Sequence, residues 1–196
     1  MGVSSSTPLS AEVKGIQQWQ WAQVSSSIKT YNELELPFGI NASNISTISG
    51  MKEPDAEKLV HALAKQPDTG VVNALTVLAA IISLADEAAG SVDARVECLF
   101  DLIDFDYTAQ VTYDELVVLF LCFGTALAGI LRGRAEPPVF PDDVFCRRLA
   151  GQVYQELDKD QSDILTRSEF SAWAISFLSE IEEVNVDNVY MSLFHH

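Results

Sequence analysis

The twelve residues DFDYTAQVTYDE, at positions 104–115, place oxygen-bearing groups at alternate positions and end in a glutamate. Such a loop can surround a hard divalent cation, because Ca²⁺ takes about six to eight oxygen ligands and a twelve-residue loop supplies them from positions 1, 3, 5, 7, 9 and 12. Position 7 offers its backbone carbonyl, position 9 acts directly or through water, and the final glutamate uses both oxygens. The predicted ligands are Asp104, Asp106, Thr108, the carbonyl of Gln110, Thr112 and Glu115.

The same spacing recurs in DKDQSDILTRSE, at positions 158–169. The predicted ligands there are Asp158, Asp160, Ser162, the carbonyl of Ile164, Thr166 and Glu169. Position 8 is apolar in both loops, Val111 in one and Leu165 in the other, and such residues can pair as a short β-bridge. One Asp-x-Asp match in an acidic chain can arise by chance, whereas two complete loops make a strong signal.

Both loops lie between segments with helical spacing. The residues before loop 104–115 carry apolar side chains at 92, 96, 99, 100 and 103, which predicts a helix that Ser91 caps. Residues 116–131 are the most apolar segment of the chain. They fall short of the roughly 18 to 20 residues that span a bilayer, so they predict a buried helix.

These loops and their flanks resemble the EF-hand family of calcium-binding proteins. The resemblance implies an all-α array of helix–loop–helix units in two paired lobes, with short β-bridges between paired loops. Because EF-hands usually come in pairs, two degenerate units are expected as well. Residues 65–76, KQPDTGVVNALT, fit with Gly70 at position 6 and Val72 at position 8, and residues 33–44, ELELPFGINASN, fit with Ile40 at position 8. The implied four-unit arrangement is similar to that of calmodulin, the calcineurin regulatory subunit and the neuronal calcium sensors.

The units divide the chain into four regions. We predict a flexible N-terminus at 1–14, a degenerate pair at 15–90, a metal-binding pair at 91–185 and a C-terminal tail at 186–196. An insertion at about 129–143 separates the last two units, and its three prolines break any helix there. Asp142 and Asp143 then mark the start of the next helix.

Both acidic loops depart from the family at position 6, where the chain turns with positive φ and glycine is usual. Ala109 and Asp163 stand there, and the alanine adds strain of about 1 kcal/mol. We expect up to two Ca²⁺ ions, with dissociation constants on the order of 10⁻⁶ to 10⁻⁵ M or weaker, and loop 158–169 the tighter. The alternative is that one or both loops serve only as structural turns.

Composition narrows the classes of partner and reaction. A net charge of −16 disfavours nucleic acid and suits cations or basic helices. Cys98, Cys122 and Cys146 follow no disulfide or zinc spacing, which predicts buried thiols in the cytoplasm. We find no nucleophile–base pair or phosphate-binding glycine loop, so we predict no enzyme. The start MGVSSST matches the N-myristoylation pattern at Gly2, and membrane association is expected only in that case.

Two functions are consistent with this sequence. In the first, a Ca²⁺ sensor exposes an apolar groove, with residues 116–131 as a candidate wall, to an amphipathic helix of a partner protein. In the second, the chain is a structural adaptor of a larger, cytoskeletal or motor-associated assembly, with little or no switching. The apolar content of 48% favours the second, because it exceeds what one small core can bury.

Overall fold

The computed structural model describes residues 15–65, 67–85, 91–104, 106–132, 138–158, 162, 164–181 and 185–194. In these residues the chain is mostly helical and has two small sheets, which confirms the predicted all-α class. The α-helices whose full bounds lie in the described residues are α1 (Trp21–Glu33), α2 (Ala42–Ser49), α3 (Glu53–Leu63), α4 (Ala74–Leu84), α5 (Val92–Ile103), α6 (Tyr113–Ile130), α7 (Asp143–Leu157), α8 (Arg167–Ser179) and α9 (Val186–Phe194). The strands are β1 (Gly39–Ile40), β2 (Val72–Asn73), β3 (Gln110–Thr112) and β4 (Ile164–Thr166).

Each short strand lies between two helices, so the order helix–strand–helix repeats along the chain. The strands pair in antiparallel fashion, β1 with β2 and β3 with β4. Ile40 is opposite Val72, and Val111 is opposite Leu165. These are the apolar residues at position 8 of the four predicted loops, and the predicted bridges between loops are therefore confirmed.

Two predicted helix starts are also confirmed by side-chain caps. The hydroxyl of Ser91 accepts a hydrogen bond from the backbone N–H of Ala94 at 3.2 Å, at the start of α5. The carboxylate of Asp142 accepts one from the N–H of Phe145 at 2.7 Å, at the start of α7. Each cap satisfies a backbone donor that the first helical turn leaves without an intrahelical partner.

The buried apolar side chains form two cores. The first core lies among α1 to α4 and also includes Leu102 of α5, and the second lies among α5 to α9. Helix α6 contributes to both, with Cys122, Ala126 and Ile130 in the first core and its remaining buried apolar side chains in the second. Helices α5 and α6 therefore both join the two halves of the chain.

Small residues let α6 approach its neighbours closely. A Cβ atom at Gly129 would lie 2.8 Å from the carbonyl oxygen of Ala62 on α3. A Cβ atom at Gly124 would lie 2.6 Å from the ring of Phe194 and 2.8 Å from the side chain of Pro141. Larger side chains at these two positions would push α3 and α9 away from α6.

Within the described part of the chain, α6 is the one helix long and apolar enough to cross a membrane, and 67% of that segment is buried inside the protein. Burial to this extent is what the sequence predicted for residues 116–131. Length and composition alone do not separate a membrane span from a core helix.

The C-terminal segment is more ordered than the predicted tail. Residues 186–194 form α9, which packs against α6. The hydroxyl of Tyr190 donates a hydrogen bond to the carbonyl of Val139 at 2.6 Å, so α9 also holds the end of the insertion. The insertion itself is shorter at its start than predicted, because α6 continues to Ile130, and the described residues 138–142 are not helical.

The three cysteines are free thiols on α5, α6 and α7. Cys122 and Cys146 are buried, as the sequence predicted, whereas Cys98 is only partly buried. Burial raises the pKa of each thiol to about 11, because desolvation disfavours the thiolate.

Candidate metal centre

Two helices frame loop 104–115. Helix α5 ends at Ile103, so Asp104 is its C-cap, and Thr112 is the N-cap of α6. The remaining predicted ligands lie between these caps or, in the case of Glu115, in the first turn of α6. The ends of two helices therefore fix both ends of the loop.

The first half of this loop is organised around buried Asp104, whose exposed fraction is 4%. One carboxylate oxygen, Oδ1, accepts a hydrogen bond from the N–H of Thr108, and Oδ2 accepts one from the N–H of Ala109, both at 3.0 Å. Asp106 Oδ1 accepts from the Thr108 hydroxyl at 2.8 Å and from its N–H at 3.3 Å. The structure therefore brings Asp104, Asp106 and Thr108 together.

The backbone reverses direction through two left-handed residues. Tyr107 has φ 57° and Ala109 has φ 59°. A positive φ at Ala109 is the conformation predicted for position 6, and it costs about 1 to 2 kcal/mol for a residue other than glycine. This turn directs the N–H groups of Thr108 and Ala109 towards Asp104.

The second half of the loop holds its glutamate in a helix cap. Glu115 Oε2 accepts hydrogen bonds from the N–H and the hydroxyl of Thr112, both at 2.8 Å. In return, the Thr112 hydroxyl accepts a bond from the N–H of Glu115 at 3.3 Å. The local signal Thr-x-x-Glu predicts such a capping box. The predicted role of Thr112 and Glu115 was ligation alone, and the cap is a second role that the loop spacing did not predict.

In the described part of loop 158–169, both ends repeat those of loop 104–115. Asp158 is the C-cap of α7, with φ −75° and ψ 69°, and Asp104 has φ −73° and ψ 72°. Asp158 Oδ1 accepts a hydrogen bond from the N–H of Ser162 at 2.9 Å. The Ser162 hydroxyl lies 3.1 Å from the carbonyl oxygen of Ile164, another predicted ligand.

The glutamate of loop 158–169 is also held in a cap. Glu169 Oε2 accepts hydrogen bonds from the N–H of Thr166 at 2.9 Å and from its hydroxyl at 2.7 Å. Asp160 and Asp163 of this loop lie outside the described residues, as does Gly2.

The two acidic loops lie side by side. Val111 and Leu165 are opposite each other in the sheet, and both have an exposed fraction of 0%. The hydroxyl of Tyr154, on α7, donates a buried hydrogen bond to the carbonyl of Val111 at 2.7 Å. Apolar contact and this hydrogen bond therefore join the loops independently of their acidic side chains.

The donor set is suited to a hard cation, since the predicted ligand atoms are all oxygens. Within the described residues, however, the side chains of His, Cys, Asp and Glu do not form any group of three or more that could hold a metal ion. Asp104 and Asp106 are close together, while Glu115 is directed to Thr112. For Glu115 to act as the predicted ligand, its carboxylate has to leave the helix cap.

Loop 65–76 keeps the left-handed turn of the acidic loops but not their acidic ligands. Gly70 has φ 64° at position 6 of loop 65–76, where the sequence predicted a left-handed turn. Position 1 is Lys65, whose ammonium group donates to the carbonyl of Pro141 at 3.0 Å. Loop 65–76 thus presents a cation where the acidic loops present an aspartate, which makes it unsuited to binding Ca²⁺.

Arg167, at position 10 of loop 158–169, is a candidate functional residue that the ligand spacing does not predict. Its guanidinium group bonds Glu97 at 2.8 Å and Asp101 at 2.6 Å, and it lies 3.8 Å from Asp104 Oδ2. It also packs over the ring of Phe100, 4.2 Å from the ring centre. The hydrogen bond from Arg167 lowers the pKa of Glu97. Glu97 and Asp101 on α5 and the C-cap Asp104 follow one another at spacings of four and three residues, which places them on one helix face and was the available signal for a cation partner.

Comparison with known proteins adds no assignment: no protein-family model and no curated protein matches the chain.

Proposed function

We propose that the chain is a calcium-binding EF-hand protein with four helix–loop–helix units in two pairs, of which loops 104–115 and 158–169 bind Ca²⁺. The observation that carries the proposal is the matched construction of these loops. Asp104 and Asp158 end their helices with nearly the same backbone angles, and Val111 pairs with Leu165 at the centre of both loops. Both loops supply oxygen ligands at the spacing that Ca²⁺ needs.

The proposed role is that of a sensor that regulates or docks onto a partner protein. Glu115 and Glu169 connect ligand chemistry to helix position, because each lies in the first turn of the helix that follows its loop. If these carboxylates leave Thr112 and Thr166 to become ligands, the first turns of α6 and α8 must shift. Helix α6 spans both cores, so its movement would uncover apolar surface for an amphipathic helix of a partner.

Calcium titration by calorimetry tests the binding proposal. Wild-type protein should show two binding events, with dissociation constants on the order of 10⁻⁶ to 10⁻⁵ M. Glu115→Gln and Glu169→Gln should each remove one event, since glutamine can keep the bond from threonine but lacks the carboxylate charge. No heat in the wild type, with the fold intact, would overturn the proposal.

A matched control separates a lost ligand from a lost charge. Asp114 lies next to Glu115, is 81% exposed at its side chain and pairs with Arg147 at 3.1 Å, but it is not a predicted ligand. Asp114→Asn should weaken binding less than about threefold, because an exposed charge is well screened. If Asp114→Asn abolishes an event as fully as Glu115→Gln does, the ligand assignment is wrong.

The second candidate is a structural adaptor, and the bonds between the two halves favour it. Arg132 donates to the carbonyls of His61 at 3.0 Å and Ala64 at 3.2 Å, across to the end of α3. Lys65 is bonded to Pro141, and Arg95 to the carbonyls of Ile82 and Ala85. Such ties resist opening of the halves relative to each other.

Binding of an apolar fluorescent dye separates the two candidates. A sensor should bind more dye when Ca²⁺ is added, because apolar side chains of α6 become accessible. An adaptor should bind the same amount of dye with Ca²⁺ and with a chelator. Glu115→Gln with Glu169→Gln is the control, and its dye binding should not respond to Ca²⁺.

A further inference from the structure

Arg167 contacts loop 104–115 although it belongs to loop 158–169. Its backbone N–H donates to the carbonyl of Ala109 at 3.2 Å, next to the end of the β3–β4 pairing. Its side chain crosses to α5 and reaches the two exposed acids, Glu97 and Asp101. Backbone and side chain thus join the first turn of α8 to the opposite loop.

The guanidinium group is held firmly in this place. Two carboxylates bond it, and the ring of Phe100 supports its face at 4.2 Å. Glu97 is itself fixed by a bond from the hydroxyl of Ser171 at 2.8 Å. A planar guanidinium that bonds two carboxylates and stacks on a ring loses little further freedom, so its charge has a defined position.

That charge lies beside the first predicted ligand. Arg167 Nη2 is 3.8 Å from Asp104 Oδ2, and Asp104 is 96% removed from solvent, as its exposed fraction of 4% shows. Burial limits screening by water and salt, so the two charges interact more strongly than an exposed pair would. A fixed positive charge at this point opposes the approach of any second cation to Asp104.

We propose that Arg167 is an internal counter-cation that sets the Ca²⁺ affinity of loop 104–115 and couples it to loop 158–169. This rests on the proposed function, since it assigns regulation to the same two loops. Arg167 is next to Thr166 and two residues from Glu169, so a rearrangement of that helix cap acts on the contacts that hold the guanidinium group beside Asp104. By linkage, each loop then changes the affinity of the other by the same factor.

Titration of Ca²⁺ into Arg167→Gln by calorimetry tests the proposal. Removal of one nearby unit charge should tighten binding in loop 104–115 by about tenfold. Arg147→Gln is the matched control, because Arg147 also bonds two carboxylates, Asp143 at 2.9 Å and Asp114 at 3.1 Å, but does not contact a predicted ligand. Arg147→Gln should leave both affinities within about twofold of the wild type.

Two further variants identify the cause. Arg167→Lys keeps the charge and should keep the affinity of loop 104–115 within about threefold of the wild type, whereas an effect of lost packing would make it resemble Arg167→Gln. In a Glu169→Gln background, where loop 158–169 no longer binds, Arg167→Gln should still tighten loop 104–115. Unfolding curves in a chelator show that each variant is folded.

The outcomes separate this inference from the proposed function. Two binding events that Arg167→Gln leaves unchanged or weakens would overturn the role of Arg167 and keep the calcium proposal. Binding by Arg167→Gln but not by the wild type would support the role of Arg167 and overturn binding in the natural protein. Absence of binding in both would overturn both.

Discussion

The two loop pairs share an antiparallel β-bridge at position 8 but differ in their acidic residues. In the first pair, Ile40 is opposite Val72, and in the second, Val111 is opposite Leu165. Loop 65–76 has Lys65 at position 1, where loops 104–115 and 158–169 have aspartate. Because the first pair forms a similar β-bridge although loop 65–76 has no acid at any ligand position, the apolar residues at position 8 determine loop pairing, and the acids can be lost separately.

Position 1 of the loop also has different contacts in the two pairs. Asp104 is held by two backbone N–H groups and lies beside Arg167. Lys65 instead bonds Pro141 in the insertion, so the same loop position serves a contact between the halves. We therefore expect the first loop pair to act as a scaffold and the second to provide the proposed Ca²⁺ sites.

The largest expected effect comes from removing an apolar residue from each bridge. Ile40→Ala and Leu165→Ala should each lower the free energy of unfolding by about 2 to 5 kcal/mol in a chelator, because each deletes a fully buried side chain. Chemical denaturation followed by circular dichroism measures both. If Ile40→Ala alone lowers the free energy of unfolding by less than about 1 kcal/mol, the bridge of the first pair contributes little to stability. The position-8 residues would then not have the same role in both pairs.

The next largest effect is expected in the reaction rates of the buried thiols, which report on the two cores separately. Cys122 lies in the first core and Cys146 in the second, and burial raises the pKa of both thiols to about 11 from 9.0. At pH 8 the thiolate fraction is then about a hundredfold lower than in the unfolded chain, so a thiol-specific reagent should react correspondingly more slowly.

The sign of the pH dependence follows from the raised pKa values. The folded protein keeps its thiols protonated while the unfolded chain ionises, so stability is fully present below pH 9 and declines as the pH rises towards 11. Reaction rates measured by mass spectrometry should reveal the same order of protection at Cys122 and Cys146. Rapid reaction at one site only would show that one core opens independently of the other.

The parts of the molecule that the sequence predicted correctly are those with short-range signals. The caps at Ser91 and Asp142 depend on a side chain three residues from its partner, and the position-8 bridges follow from loop spacing. The left-handed turn at Ala109 was predictable because its place in the loop demands positive φ.

The contacts that the sequence did not predict join residues far apart in the chain. Arg167 and Glu97 are 70 positions apart, and Tyr190 reaches Val139 across 51 positions. Helix α9 has only nine residues, too few for stable helix formation alone, so its structure depends on packing against α6. Periodicity within one segment carries no information on such partners.

A smaller effect on stability is expected from substitutions at position 6 of loops 65–76 and 104–115. Gly70 and Ala109 have φ of 64° and 59°, so they occupy the same region of conformational space. Gly70→Ala should lower the free energy of unfolding by about 1 kcal/mol, and Ala109→Gly should raise it by up to about the same amount. No Cβ contact lies within 4 Å at Gly70, so the effect reports backbone strain rather than crowding.

Denaturation in a chelator measures both position-6 variants. Changes of opposite sign in the free energy of unfolding would show that a residue other than glycine is strained at position 6 in both halves. If Ala109→Gly destabilises the protein, the entropy that glycine adds to the unfolded chain exceeds the relief of strain. Alanine at position 109 then does not reduce the stability of the protein relative to glycine.

The smallest effect is expected for the ion pair at the start of loop 33–44. Lys29 lies 3.6 Å from Glu33, at side-chain exposures of 75% and 63%, whereas Arg167 faces an Asp104 that is almost fully buried. An exposed pair of this spacing contributes about 0.3 to 0.5 kcal/mol at most, and the order Lys before Glu is the less favourable one. Lys29→Gln should therefore change the free energy of unfolding by no more than about 0.5 kcal/mol, and 1 M NaCl should abolish the change, because the Debye length then falls to about 3 Å.

Calcium affinity should be unaltered in Lys29→Gln and raised in Arg167→Gln, since only Arg167 lies beside a predicted ligand. A shift in Ca²⁺ affinity with Lys29→Gln would mean that the first pair influences the second through the whole field of the protein rather than through Arg167.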